Sequence, residues 1–364
     1  MHEVLSALLA RDRSADQQMW RSFWDRLRDG GLQRGETVAL LASLSTRMPD
    51  QDTLSGLLRS LDERRPPVTV RLDDTVNIVG TGGGPRTFNI STAAAFTAAA
   101  MGVRVVKTGS RAYTSTCGSF DLLDLLGIEL TSSYEQTDAV LERFGIAFPG
   151  HFVYPREVMS LAKSILPMDL RALGGFINTV GPFLAAMPVS AQLVGVSDHT
   201  LLPALRHAAA TVTDRKIWLC ANELGIDELV SSVDNVIHTN TATDADTSTG
   251  TDAAGTDAAT GSFRLRAGAL GPASGTLAEL SPAGSGAAVV DHFLGVLSGN
   301  GTGLATRTVC LNAAALAVAG GLFEEWTQAV AAADDTLRGG AARALVDRLR
   351  ARPVDGPAGG RGAR

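Results

Sequence analysis

The sequence predicts an α/β fold, in which a small N-terminal all-helical domain precedes a larger α/β domain with a mainly parallel central sheet flanked by helices. Two observations predict the α/β part. An apolar strand at 76–79 runs into a glycine turn and an alanine-rich helix, and a second strand at 103–106 repeats the pattern. A third observation predicts the helical part, because apolar residues before position 65 recur at helical spacing.

The helical domain is predicted over residues 1–68, with helices from about 165–190 joining it. Pro66 and Pro67 mark the passage into the α/β domain, which is expected over 69–350. Helical spacing is also seen at 37–44 and 54–61. The strongest apolar stripe consists of Met19, Trp20, Phe23, Trp24 and Leu27. Such a stripe serves helix packing or a subunit interface more often than ligand binding.

The turn after the first strand has the composition of an anion site. Its glycines lack a Cβ, so the backbone can turn tightly and present N–H groups to a phosphate, and a helix starting near Ser91 adds its positive end. Neutral hydrogen-bonding side chains follow at Thr87, Asn89, Ser91 and Thr92. The alternative is an ordinary strand–turn–helix connection with Ser91 as the N-cap.

The turn after the second strand adds positive charge at the same edge. In an open α/β sheet the ligand lies beyond the carboxyl ends of the strands, so Lys107 and Arg111 should project toward the glycine turn. Taken singly, a lysine or an arginine at these positions is more often a solvated surface charge than a ligand-binding group. Cys117 by itself is more often a small buried residue.

In this order the motifs resemble those of the anthranilate phosphoribosyltransferase family, over roughly residues 70–350. The matching segments are Gly80-Thr-Gly-Gly, Thr87-Phe-Asn-Ile-Ser-Thr92, Lys107-x-Gly-x-Arg111, Ser115-x-x-Gly-Ser119, Asn178-Thr-Val-Gly-Pro182, Leu224-Gly225 with Asp227-Glu228, and Leu311-Asn-Ala-Ala-Ala-Leu-Ala-Val-Ala-Gly320. Agreement of several motifs in order is far more specific than one glycine-rich turn.

The resemblance implies a magnesium-dependent enzyme that binds 5-phosphoribosyl 1-pyrophosphate (PRPP) and transfers its phosphoribosyl group to a nitrogen of an aromatic acid. It assigns PRPP binding to Gly80, Thr81, Gly82, Gly83, Thr87, Asn89, Ser91, Thr92, Lys107 and Ser119. It assigns Mg²⁺ to Asp227 and Glu228, which with Lys107 are the expected catalytic residues. Mg²⁺ prefers carboxylates combined with substrate phosphates and waters.

The sequence departs from the family pattern at two places. The family's Gly-Thr-Gly-Gly-Asp-Gly-x-x-Thr is here one residue shorter, with Pro85 and Arg86 in place of the acid, which puts full pyrophosphate contact in doubt. On the acceptor side, the family's His and Asn after the lysine are Thr108 and Ser110, and its His-Pro is Tyr154-Pro155.

The family's arginine, which would pair with the acceptor's carboxylate, has no clear counterpart in this sequence. The positions a few residues before Asn178 hold Gly175 and Gly174, and the nearest cations are Arg171 and Lys163. The predicted acceptor-binding residues are Thr108, Ser110, Arg111, Tyr154 and Arg171. We therefore expect a small aromatic or heterocyclic acceptor other than anthranilate. Anthranilate itself, a catalytically silent relative that acts as a binding protein, and a nucleoside phosphorylase using free phosphate are the alternatives.

Composition is consistent with a cytoplasmic enzyme. Three widely spaced cysteines argue against a disulfide framework, and a net charge of −6 with pI ≈ 5.6 disfavours nucleic-acid binding. No membrane span or signal peptide is expected. Related enzymes form homodimers through the helical domain, which makes the tryptophans interface candidates.

Two segments are poor in apolar residues. Residues 239–261 consist almost entirely of Thr, Ala, Asp, Gly and Ser and are predicted to form a mobile loop, which is either a surface insertion or a lid. Residues 353–364 are predicted to be a disordered tail.

Overall fold

The structure is a computed structural model that describes residues 1–112, 117–168, 173–241, 256–257, 261–271 and 275–351. Three expectations fall wholly or mostly outside these residues: the acceptor role of Arg171, most of the loop at 239–261 and the tail at 353–364.

The N-terminal segment folds into four helices: α1 (Glu3–Ala10), α2 (Gln17–Arg28), α3 (Arg34–Thr46) and α4 (Gln51–Asp62). The apolar stripe of α2 faces their shared core, where the stacked rings of Trp20 and Trp24 lie 5.6 Å apart. These residues are 0% and 2% exposed, and their indole N–H groups donate to Thr53 O and Ser60 Oγ. The interpretation of the tryptophans as interface residues is therefore wrong, because their surface is already buried within one chain.

The central sheet contains the strands β1 (Thr75–Gly80), β2 (Arg104–Val106), β3 (Ile146–Ala147), β4 (Ala191–Gly195), β5 (Lys216–Asn222), β6 (Asn235–Thr239), β7 (Thr256–Asp257) and β8 (Ser262–Leu265). Their order is β3-β2-β1-β4-β5-β6-β8-β7. The strands from β3 to β5 pair in parallel, and β6, β8 and β7 continue the sheet antiparallel. Because β1, β2 and β4 are adjacent and parallel, their turns meet at one edge.

Helices flank this sheet, as the fold class predicts. The helices that follow β1 in the chain are α5 (Ile90–Ala100), α6 (Ser119–Leu126), α7 (Tyr134–Phe144), α8 (Arg156–Ser164), α9 (Gly175–Leu184), α10 (Leu202–Ala210), α11 (Ala287–Leu297), α12 (Gly303–Ala319), α13 (Trp326–Arg338) and α14 (Ala341–Arg350). Two of them, α5 and α12, are rich in buried alanine and pack along each other. The predicted fold class is confirmed. Within the described part of the chain, no helix is long and apolar enough to span a bilayer.

Helices α8 and α9 pack against the N-terminal helices rather than against the sheet. Val158 and Leu161 of α8, with Phe176 and Val180 of α9, belong to the same buried cluster as Trp20. We propose that the helical domain consists of residues 1–68 with these two helices, so that its second part begins earlier than the expected 165.

The segment 239–261 forms strands near both of its ends, in the residues that the structure describes. Thr239 is the last residue of β6 and pairs with Trp218, and Thr256–Asp257 pairs with β8. The predicted loop boundaries of 239–261 were therefore too wide, because backbone pairing extends into a sequence that carries few apolar side chains.

Candidate functional site

A cavity of about 300 Å³ lies between the carboxyl ends of β1 and β2 and the helices α8 and α9. Its lining includes all the predicted site residues that the structure describes, apart from Thr92: Gly80, Thr81, Gly82, Gly83, Thr87, Asn89, Ser91, Lys107, Thr108, Ser110, Arg111, Ser119, Tyr154, Asp227 and Glu228. The structure thus brings together residues that are up to 148 positions apart (228 − 80).

Thr92 does not line this cavity, although the sequence analysis placed it among the phosphate ligands. Consecutive helix residues differ by about 100° in direction, so Ser91 can face the cavity while Thr92 faces the core. Thr92 is 0% exposed, and its hydroxyl has no hydrogen-bond partner within the described ranges. The helix begins at Ile90 with Asn89 as N-cap, which also corrects the placement of the cap at Ser91.

The glycine turn is held against β4 and folds over the acidic pair. Thr81 N donates to Gly195 O over 2.9 Å, after which Gly82 and Gly83 take φ values of +68° and +84°. These left-handed values strongly favour glycine. The N–H of Gly82 then donates to Asp227 Oδ2 over 2.9 Å.

Close approach of the loop that carries Asp227 requires glycine on two neighbouring strands. A Cβ at Gly80 would lie 2.0 Å from Asp227 Oδ2, and a Cβ at Gly195 would lie 1.6 Å from Asp227 O. Gly80 and Gly195 are paired in the sheet, so they open one gap into which the loop enters. This packing explains glycine at both positions without reference to φ.

The carboxylates of Asp227 and Glu228 are buried together, and little positive charge lies near them to balance their negative charges. Glu228 is 8% exposed, and its Oε2 accepts a hydrogen bond from Thr87 Oγ1 over 3.4 Å. Burial raises the pKa of Glu228 well above its ordinary value, and the neighbouring Asp227 charge raises it further. Burial likewise raises the pKa of Asp227. A bound cation would relieve this repulsion.

Lys107 is the positive group whose charge acts on both carboxylates. It is 2% exposed, and its Nζ donates to Ile78 O over 2.9 Å. Burial lowers its pKa to about 8, against the opposing effect of Glu228 and Asp227. One lysine cannot neutralise two carboxylates, so the site fits a further cation.

The donor chemistry of the site suits Mg²⁺. Within the described ranges, no cluster of three or more His, Cys, Asp or Glu side chains could hold a metal by itself. Two carboxylates beside a phosphate-binding turn are the arrangement that Mg²⁺ accepts, because substrate phosphates and waters complete its ligands.

The other end of the cavity is neutral and largely apolar. Tyr154 and Thr108 both line it, and Thr108 Oγ1 accepts from Asn77 Nδ2 over 2.8 Å. Burial raises the pKa of Tyr154 to about 12, so the phenol stays protonated at neutral pH. Arg111 reaches the cavity, but its guanidinium is paired with Asp121 and Asp124 at 3.0 and 2.8 Å.

The sequence analysis missed several residues that line this neutral end: Val158, Met159, Ile177, Gly181 and Leu184. Asn178 and Pro182 also line it, and the match to the family's Asn-x-x-Gly-Pro turn was the signal that could have assigned them. The apolar residues carried no such signal, because their spacing on α8 and α9 is that of any packed helix.

We predict that Gly195→Ala displaces the loop that bears Asp227, because the clash is with backbone atoms. Overpacking of this kind costs about 1–3 kcal/mol, so the melting temperature should fall. Gly295→Ala on α11 is the matched control, since nothing lies within 4 Å of its Cβ position and alanine favours the helix. Equal melting temperatures of the two variants in a thermal-unfolding assay would contradict the packing argument.

Comparison with known proteins places the chain among glycosyltransferases. Residues 72–343 match the glycosyl transferase family, a/b domain. An anthranilate phosphoribosyltransferase of Synechococcus is 33% identical over 62% of this chain and 62% of its own length, so that match spans less than two thirds of the relative. One from Cenarchaeum symbiosum is 31% identical over 90% of both chains.

A solved structure gives the same result for the fold. The crystal structure of anthranilate phosphoribosyltransferase from Thermus thermophilus superposes with a TM-score of 0.75 and 26% identity, covering 96% of this chain and 99% of that one. The chain therefore belongs to the anthranilate phosphoribosyltransferase family within the glycosyl transferase a/b-domain proteins.

Proposed function

We propose that this chain is a magnesium-dependent phosphoribosyltransferase that transfers the 5-phosphoribosyl group of PRPP to a small aromatic or heterocyclic acceptor other than anthranilate, releasing pyrophosphate. One observation carries the proposal: a glycine turn, a helix N-terminus, a buried lysine and a pair of buried carboxylates converge at one end of a cavity whose other end is neutral.

The charged end suits the pyrophosphate donor. Backbone N–H groups of the turn and the positive end of α5 favour phosphate, and Lys107 adds a full charge when protonated. Asp227 and Glu228 would hold Mg²⁺, whose charge would stabilise the pyrophosphate as it leaves. The Asn89 side chain donates to Cys117 O over 3.1 Å and so ties this turn to the segment before α6.

The reaction breaks the bond between C1 of the ribose and the pyrophosphate oxygen, and forms a bond from C1 to a nitrogen of the acceptor. The electron pair of the broken bond leaves with pyrophosphate, and the acceptor nitrogen loses a proton to water or to a product phosphate. The chain's part would be to orient the two substrates and to stabilise negative charge, and the position of Lys107 in the cavity lining supports that role.

The neutral end favours an acceptor without a carboxylate. Its described polar groups are the hydroxyls of Thr108, Ser110 and Tyr154, the amide of Asn178 and the imidazole of His151, whose pKa is lowered by burial, which favours its neutral form. The nearby Arg111 already has two carboxylate partners. A carboxylate placed here would lose water without gaining a bidentate partner.

Anthranilate is the second candidate acceptor, because the relatives reported above are named anthranilate phosphoribosyltransferases. In that case a cation from outside the described lining, such as Arg171, would have to bind the carboxylate.

A pyrophosphate-release assay with PRPP and Mg²⁺ tests the function against a panel of anthranilate, aromatic amides and nitrogen heterocycles. Release with a neutral acceptor and not with anthranilate supports the proposal. Binding of PRPP without release for any acceptor would favour a silent binding protein. Phosphorolysis of nucleosides by free phosphate would favour a phosphorylase.

We also propose that the chain forms a homodimer through its N-terminal helices and acts in the cytoplasm, where free thiols such as Cys117, Cys220 and Cys310 persist. With the tryptophans buried, surface residues such as Leu9 of α1, which is 55% exposed, are the remaining apolar candidates there. We expect sedimentation equilibrium to give a dimer mass for the wild type and a lower mass for Leu9→Glu.

A further inference from the structure

The acidic pair lies on a loop, residues 223–234, whose backbone is held by three buried asparagine side chains. Asn222, Asn235 and Asn312 are 2%, 1% and 1% exposed. A buried amide is stable only when its donors and acceptor are paired, and all three direct their hydrogen bonds to this loop. The loop therefore has a defined shape although it contains no helix or strand.

Two of the asparagines act from the ends of the loop itself. Asn222 Nδ2 donates to Ile226 O and Glu228 O over 2.9 and 2.8 Å. Asn235 Oδ1 accepts from Val230 N over 2.8 Å. These hydrogen bonds tie the loop backbone to the end of β5 and to the start of β6, the two strands that the loop connects.

Asn312 acts from a different element, α12, and is 83 residues away from its partner in the sequence. Its Oδ1 accepts from Leu229 N over 3.1 Å, and its Nδ2 donates to Leu229 O and Thr308 O over 2.7 and 2.8 Å. Both backbone groups of Leu229, the residue after Glu228, are thus held by one side chain.

The same helix also fixes the phosphate-binding end of the cavity. Helix α12 packs extensively along α5, whose first turn carries Ser91. The hydroxyl of Thr87, in the turn that leads into α5, donates to the Glu228 carboxylate over 3.4 Å. Asn312 therefore joins the carboxylate loop to the helix against which the phosphate-binding helix packs.

We infer that Asn312 is a positioning residue that sets the spacing between the carboxylates and the phosphate-binding turn. The inference rests on the proposed function, because the spacing matters only if metal and phosphate bind together. Residues that orient metal ligands typically change metal affinity by about 10- to 100-fold when they are replaced.

Asn312→Ala and Asn312→Leu test the inference, and the leucine variant keeps the side-chain volume in case the alanine variant does not fold. Asn240→Ala is the matched control. Asn240 Oδ1 accepts from Ile217 N over 2.7 Å and its Nδ2 donates to Val212 O over 2.8 Å, at the opposite end of β5 from the acidic loop. Calorimetric titration with PRPP at varied Mg²⁺ and hydrogen exchange of the free protein are measured for each variant.

We expect both Asn312 variants to need about 10- to 100-fold more Mg²⁺ for half-maximal PRPP binding, and to exchange the amides of 223–231 faster. Asn240→Ala should lower the melting temperature without changing either readout. Asn312 variants that match the wild type or the control in both readouts would overturn the inference. A wild type that binds no PRPP with Mg²⁺ would instead overturn the proposed function, and the inference with it.

Discussion

Replacing Asp227 by Asn together with Glu228 by Gln is expected to abolish the increase in melting temperature that PRPP and Mg²⁺ give the wild-type protein. A ligand that binds only the folded state stabilises it by about 2.7 kcal/mol at 100 times its Kd. The double variant removes both negative charges at which Mg²⁺ would bind and leaves the phosphate-binding turn without its cation. A thermal-shift assay with PRPP alone, Mg²⁺ alone and both ligands measures the loss.

The double variant should itself fold, which makes the experiment informative. Burial raises the pKa of both carboxyl groups, and the charge of Asp227 raises that of Glu228 further, so neutral amides of similar shape remove an unfavourable interaction. The amide oxygen at position 227 can still accept from Gly82 N–H. Glu223→Gln, on the exposed part of the same loop, is the control and should keep the full shift. An unchanged shift in the double variant would place the metal elsewhere.

The donor half of the site could be predicted from the sequence because it uses short motifs with a mechanical reason. The turn after β1 needs positive φ at Gly82 and Gly83 and close approach at Gly80, so its composition is restricted wherever such a turn is built. Parallel neighbouring strands then bring Lys107 to the same edge. The ordinary strand–turn–helix connection nevertheless stayed open on local chemistry alone, and the resemblance to the family was needed to assign these residues to PRPP and Mg²⁺.

The residues that hold the site in shape, such as Asn312 and Gly195, could not be predicted, because their role depends on tertiary contacts between distant segments. Nothing in an alanine-rich helix indicates that Asn312 binds the backbone of Leu229, and nothing near Gly195 indicates that Asp227 passes over it. Thr92 was assigned to PRPP by the match to the family's motif, whereas the helical rotation between Ser91 and Thr92 turns Thr92 into the core. The interpretation of the tryptophans as interface residues was wrong for a similar reason, since helical spacing does not distinguish a core from an interface.

Anthranilate is expected to be a poor substrate, with a kcat/KM at least about a hundredfold below that of the true acceptor. At about 1.4 kcal/mol per tenfold change, this requires a loss of about 2.8 kcal/mol, which one or two missing charge-assisted hydrogen bonds supply. The neutral lining of Thr108, Ser110 and Tyr154, with Arg111 already paired, gives the physical reason. Steady-state assays with each acceptor measure it, and efficient turnover of anthranilate would contradict the proposed acceptor class.

Adding a cation should reduce this discrimination if the missing carboxylate partner is its cause. Gly174 is the N-cap of α9, with a φ of −94° that an L-residue can adopt, and its carbonyl accepts from Asn178 N over 2.9 Å. Residues four apart lie on one helix face, so a side chain at 174 is directed to the side on which Asn178 lines the cavity. Gly174→Arg should therefore raise kcat/KM for anthranilate by about tenfold or more, and Gly174→Gln, which offers similar length without charge, should not. Equal effects of the two substitutions would show that shape, rather than the absence of a guanidinium, excludes anthranilate from this cavity.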